Sequence, residues 1–165
     1  MPANLTPLVA DLNSDNRAHR VRAAEEFSRL GSEAAPAAVA LVEACGDESE
    51  EVREYVMAAL EELGPPGREA IEPLVALLPH PTADTGYWAA TLLGRLERHA
   101  APAVPALVAA LNGAEHASVR QRAAWALGQI GPSAAPAVES LTRAATARDP
   151  RLARLAQRAI KQIGG

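Results

Sequence analysis

The chain has 165 residues, 48% apolar and 22% charged but only 3% aromatic, so any core must be built from alanine, leucine, valine and isoleucine. No apolar run reaches the roughly 18 residues needed to cross a bilayer. The start, Met1-Pro2-Ala3-Asn4-Leu5, is no secretory signal, and the single cysteine, Cys45, excludes an internal disulfide, so a cytoplasmic location is expected. The net charge of −4 is uneven, with 15 acids and 6 bases in residues 1–82 against 5 and 10 in residues 83–165; this disfavours nucleic acid as the partner and allows salt-sensitive self-association.

In chain order, the opening Thr6-Pro7-Leu8-Val9-Ala10-Asp11-Leu12 matches Glu72-Pro73-Leu74-Val75-Ala76-Leu77-Leu78 and predicts a lone helix of one type, B, over residues 2–13. A second type, A, then recurs as His19-Arg20…Phe27…Leu30-Gly31, Val52-Arg53…Leu60…Leu63-Gly64, Thr85-Gly86…Leu93…Leu96-Glu97, Val119-Arg120…Leu127…Ile130-Gly131 and Leu152-Ala153…Ile160…Ile163-Gly164. The closing positions 31, 64, 97, 131 and 164 are 33, 33, 34 and 33 residues apart, which marks a repeat architecture.

The positions 12, 8, 5, 4 and 1 before each close are mostly apolar and lie on one helical face. The closing glycine, replaced only by Glu97, supplies a left-handed C-cap. A helices are therefore predicted at 17–30, 50–63, 84–96, 117–130 and 151–163. Pro36, Pro102 and Pro136 fall five residues past a close, where proline fits a first helical turn. With the apolar sets Ala38, Leu41, Val42, Cys45; Ile71, Leu74, Val75, Leu78; and Val104, Leu107, Val108, Leu111, they predict B helices at 35–45, 69–79, 101–112 and 135–147. The expected organisation is one domain, 1–165: the lone B helix, hairpins 16–46, 49–80, 83–113 and 116–147, and a terminal A helix 150–163.

The pattern Val-Arg-x-x-Ala-Ala-x-x-Leu-Gly-x-Ile-Gly followed by x-x-Ala-x-Pro-Ala-Val-x-x-Leu, clearest over residues 119–141, is similar to the short bacterial HEAT repeats named after phycobilisome lyases. The resemblance implies an all-α, right-handed α-solenoid of antiparallel helical hairpins, HEAT/armadillo-like, with about ten helices and the B helices on its concave side. It implies no single activity, because the family includes scaffolds, lyases and hydroxylases.

Two packing devices are expected. Ala23, Val56, Ala89, Ala123 and Ala156 share one position, where small size lets A and B helices touch. Arg20, Arg53 and Arg120 share another and, with Asp15, Asp47, Glu51 and Glu115 upstream, suggest a ladder of arginine–carboxylate pairs between repeats.

Catalytic motifs are absent: there is no Gly-x-Ser-x-Gly, phosphate-cradling glycine loop or Cys-x-x-Cys. The iron hydroxylases that share the repeat use His-Glu dipeptides, yet none of His19, His80, His99 and His116 precedes a glutamate. No catalytic residue, cofactor or metal is assigned. Cys45 occupies the slot of Leu78 and Leu111 and reads as a buried small hydrophobe; His80 and His99 read as solvated turn residues. The exposed B-helix positions Val39, Glu43, Glu72, Pro105, Ala109, Glu139 and Arg143 are neutral to acidic and lack the cations that phosphate binding needs.

Three features remain. Tyr55 and Trp88 sit nine residues before a close, at the edge of the apolar face, whereas Tyr87 and Trp125 lie further round, toward solvent. These aromatics either pack between repeats, Trp125 against Trp88 or Arg122, or anchor a partner. Arg151, Arg154, Arg158 and Lys161, spaced 3, 4 and 3, form a basic stripe that either caps the stack or docks an acidic partner or nucleic-acid phosphates. Asp47, Glu48, Glu50, Glu51 and Glu54 crowd a helix start, where acids are favourable; the alternative is that they steer a basic partner or the basic end of another copy. The expected function is a non-catalytic scaffold for a protein or peptide, bound through Tyr87, Trp88, Trp125, Glu43, Glu72, Glu139, Arg143, Arg151, Arg154, Arg158 and Lys161; the alternative is a HEAT-type enzyme or bilin-handling lyase, and after it a nucleic-acid binder through the basic C-terminal helix.

Overall fold

The computed structural model describes residues 4–165, which contain helices and turns and no strand. The predicted start of the first helix, Pro2 and Ala3, lies outside the described residues. The chain divides into two compact units, one ending at Ala70 and the other beginning at Ile71. The first unit contains α1 (Thr6–Leu12), α2 (Arg17–Leu30), α3 (Ala38–Ala44) and α4 (Glu50–Glu62). The second contains α5 (Ile71–Leu77), α6 (Ala83–Arg95), α7 (Val104–Gly113), α8 (Ala117–Ile130), α9 (Val138–Ala144) and α10 (Pro150–Gly164). No described helix is long and apolar enough to cross a membrane.

The A helices α2, α4, α6, α8 and α10 follow the repeat frame to within a residue at each end. The B helices start later than their prolines suggest. Pro36, Pro102 and Pro136 lie inside seven-residue 3-10 segments, Gly31–Ala37, Glu97–Ala103 and Gly131–Ala137, and α geometry begins only after them. Proline offers no N–H to the i→i−4 ladder, so the tighter winding continues through it. Gly31, Gly64 and Gly131 close their repeats with φ of 52°, 73° and 72°, in the region where a side chain is strained. Glu97, at the same slot, is held at φ 51°, the only non-glycine with positive φ among the described residues.

Within each unit, successive A helices pack side by side, α2 on α4 and α6 on α8 on α10, and each B helix lies against the A helix that follows it. The shared small position is buried in every repeat: Ala23 is 2% exposed, and Val56, Ala89, Ala123 and Ala156 are fully buried. Leucines complete the interior, with Leu41 and Leu60 in the first unit and Leu93, Leu107 and Leu127 in the second all inaccessible. No hairpin could bury so much apolar surface alone.

The arginine ladder proves to have one carboxylate rung. Arg20, 8% exposed, donates from Nε to Asp47 Oδ2 at 2.8 Å and from Nη2 to Asp47 Oδ1 at 3.3 Å and Glu48 Oε1 at 3.1 Å. These contacts raise its pKa further above the usual arginine value, the Asp47 hydrogen bond being the main cause. What all three arginines share is a clamp on their own preceding turn. Arg20 donates to the carbonyls of Ser14 and Asp15, Arg53 to those of Asp47 and Glu48, and Arg120 to those of Ala114 and Glu115. The reason is visible in the repeat: the position of Asp47 is held by Ser14, His80, Ala114 and Ala147 elsewhere, so Arg53 and Arg120 meet no carboxylate there.

Candidate interaction surface

The 33- or 34-residue step brings like-numbered positions of neighbouring A helices together. In the second unit one row reads Trp88, Arg122 and Leu155, and the next reads Thr91, Trp125 and Arg158. Close approach of the helices begins with glycine. A Cβ added at Gly94 would lie 2.4 Å from Trp125 Cζ3 and 3.1 Å from Ala126 Cα, and one at Gly128 would lie 3.0 Å from Ala159 Cα. The α8 backbone and the Trp125 ring therefore press directly on α6, and α10 presses on α8.

The aromatic residues that the sequence places toward solvent are partly covered. Tyr87 and Trp125 are half-buried, and Trp88 is only 8% exposed. The Arg122 guanidinium lies 4.3 Å from the Tyr87 ring centroid and 4.9 Å from that of Trp125, and it donates a hydrogen bond to Tyr87 Oη. Of the two partners expected for Trp125, the ring contact is with Arg122; Trp88 instead meets Tyr87 edge to face at 5.7 Å and Arg95 at 5.6 Å. Cation–π stacking of this kind keeps a charged group against apolar surface without a counter-ion. Burial lowers the pKa of Arg122, and the nearby positive charge of Arg151 lowers it further; arginine nevertheless stays charged at neutral pH.

Beside this stack runs α10. Asp149 caps its start by accepting from the Arg151 and Leu152 N–H groups, at 2.9 and 3.2 Å, and Gln121 donates to its other oxygen at 2.7 Å. Those bonds, led by Gln121, hold the Asp149 pKa below the usual carboxylate value. The side chains of Arg151, Arg154, Arg158 and Lys161 are exposed and have no hydrogen bond or ion pair among the described residues. Lys161 occupies the position of Gly94 and Gly128, where another A helix would have to press close.

The remaining candidates are more ordinary. Glu43 on α3, Glu72 on α5, and Glu139 and Arg143 on α9 are all exposed. Arg143 pairs with Glu139 at 2.6 Å one turn away, an exposed pair contributing about 0.3–0.5 kcal/mol. Cys45 is 1% exposed, and the Leu78 and Leu111 that share its slot are 3% exposed. His19 lies 3.8 Å from Asp11, and the described residues contain no cluster of three or more metal-ligating side chains.

One feature escapes sequence reasoning: an apolar groove of about 520 Å³ in the second unit, lined by Val75, Leu78, His80, Ala109, Glu115 and His116 among others. His116 Nε2 bonds the Pro81 carbonyl at 2.8 Å, and His80 Nδ1 accepts from the Thr82 N–H at 3.1 Å, so both rings brace turns. The only local signal was the pair of prolines flanking His80.

Comparison with known proteins agrees with this architecture. HEAT repeats match residues 5–90 and 71–161. No curated relative matches the chain. Among solved structures, the complex of CpcE and CpcF of phycocyanin lyase from Nostoc sp. PCC7120 is 29% identical, with 99% of this chain and 68% of that chain aligned at a TM-score of 0.63. A designed armadillo repeat protein in complex with the peptide (KR)4 is 19% identical over 96% of this chain and 81% of that one, with a TM-score of 0.66. An engineered protein is 24% identical over 95% and 78%, with a TM-score of 0.64. The designed and engineered proteins share the fold. With a 33-residue frame, A helices that stack side by side within each unit and repeat matches along nearly its whole length, the chain belongs to the HEAT-repeat family, whose fold is the α-solenoid.

Proposed function

We propose that this chain is a non-catalytic scaffold that binds a protein or peptide on its helical surface. The observation that carries the reading is the outer face of α8 and α10. Four exposed cations without intramolecular partners lie on α10, beside an arginine–aromatic stack on α8. Trp, Tyr and Arg are the residues that dominate binding hot spots. The peptide-bound designed armadillo repeat protein supports the same reading by likeness of fold. A cytoplasmic location goes with it.

The test is selection of a displayed random peptide library on the immobilised chain. Enrichment of a consensus that binds the free chain in solution is expected, and no enrichment would count against a peptide-binding scaffold. A second reading, a bilin-handling lyase, is favoured by the likeness to the phycocyanin lyase complex. Mixing the chain with free bilin separates the two: a new visible absorption band would favour the lyase. Self-association through the charge asymmetry predicts a larger sedimentation coefficient at low salt than at high salt.

A further inference from the structure

We infer that the outer face of α10, with the Arg122–Trp125 edge of α8, is a docking strip for an extended acidic segment of a partner protein, an inference that rests on the scaffold reading above. Charge chemistry carries it. The second unit, from Ile71, holds 6 acids against 10 bases. Its two acids nearest this end of the fold are committed elsewhere, Glu139 to Arg143 and Asp149 to the α10 N-terminus and Gln121. Arg151, Arg154, Arg158 and Lys161 consequently face solvent unpaired, and Arg151 stands close enough to Arg122 for the like charges to repel. A ligand bearing carboxylates relieves that repulsion and meets donors on both helices.

The geometry limits the ligand. From Arg151 to Lys161 is ten residues of helix, or about 15 Å at 1.5 Å per residue. An extended peptide covers that distance with about five residues at roughly 3.3 Å each. The strip is narrow, because Arg122 is the one cation it gains from α8, where Ser118, Gln121 and Gln129 are uncharged. A nucleic acid needs several phosphate contacts for useful affinity, and a strip this narrow offers few, whereas a short acidic segment fits it and can rest on the half-exposed Trp125 ring.

The experiment measures fluorescence anisotropy of labelled octaglutamate with the full chain at low and high salt. Binding at low salt that weakens at high salt is expected. The double variant Arg154→Glu/Arg158→Glu should bind at least about tenfold more weakly, since each reversal replaces an attraction by a repulsion. Arg98→Glu, an exposed arginine between α6 and α7, should bind as the parent does, and both variants should melt like the parent because these side chains hold nothing within the fold. The inference is overturned if octaglutamate does not bind, if the double variant binds like the parent, or if an oligothymidylate of equal charge binds as tightly through the same arginines. Failure here with a library that still enriches neutral peptides would sink the acidic strip alone; failure of both would sink the scaffold as well.

Discussion

The two units solve one problem, how an A helix holds the next, by different means. In the first, α2 and α4 are joined by polar groups: Arg20 on Asp47 and Glu48, and Arg17 on Ser49 at 3.1 Å and Glu51 at 3.3 Å. The position that would allow the closest approach holds Ser28, whose hydroxyl donates to the Glu25 carbonyl in its own helix at 2.7 Å. In the second unit that position is Gly94 on α6 and Gly128 on α8; the neighbouring backbone comes within a Cβ's reach, and Trp125, Ala126 and Ala159 fill the seam. One repeat frame thus accommodates ion pairs between A helices in one unit and glycine-mediated close packing in the other. The first depends on charge, the second on shape.

That contrast can be broken from the packing side first. Gly94→Leu is expected to cost about 3 kcal/mol by overpacking, seen as a fall in Tm of about 6–12 °C for a chain of this size. Ser28→Ala should stay within about 0.5 kcal/mol. Equal effects at the two positions would mean that the seams do not differ. Arg20→Lys comes next. It keeps the charge but loses the bidentate grip on Asp47, so Tm should drop by several degrees, and the drop should persist in high salt because Arg20 is buried. Arg53→Lys, which has carbonyl partners only, should shift Tm less.

Smaller effects test the helix ends. Gly31 and Glu97 fill the same closing slot with the same sign of φ, so Glu97→Gly should raise stability by about 1 kcal/mol, while Gly31→Glu should lower it by a similar amount; calorimetry would check both. The N-caps differ as well: α2 starts on Asn16, which accepts from the Ala18 N–H at 2.9 Å, whereas α10 starts on Asp149. Because the Asp149 pKa is held down in the folded state, its contribution is present above the ordinary aspartate pKa and is lost as pH falls through the depressed value. The stability difference between the parent and Asp149→Asn should therefore be constant near neutral pH and shrink below about pH 4. A difference that grows on acidification would contradict the cap geometry.

Much of the fold was legible because its signals are local. The A-helix limits follow from apolar spacing and a glycine at the close. The B-helix starts were misjudged because proline is compatible with a first α turn and with 3-10 winding alike, and only the packed chain selects one. The candidate site was legible as a composition, aromatic residues and a basic stripe, but not as an arrangement. Tyr87 and Trp125 read as solvent-facing until Arg122, 35 and 3 residues away in sequence, is found lying over both rings.

The sequence by itself determined the repeat length, the helix type and the buried small-residue column, because each depends on residues within one or two turns of one another. Tertiary structure decided which repeated residue meets which partner: Arg20 alone of its column on a carboxylate, Trp125 on Gly94 and Arg122, and Lys161 left where a glycine would have been covered. A periodic sequence specifies columns of equivalent side chains. Whether two members of neighbouring columns pair depends on what occupies the facing position some 33 residues away, and on how closely the backbones come.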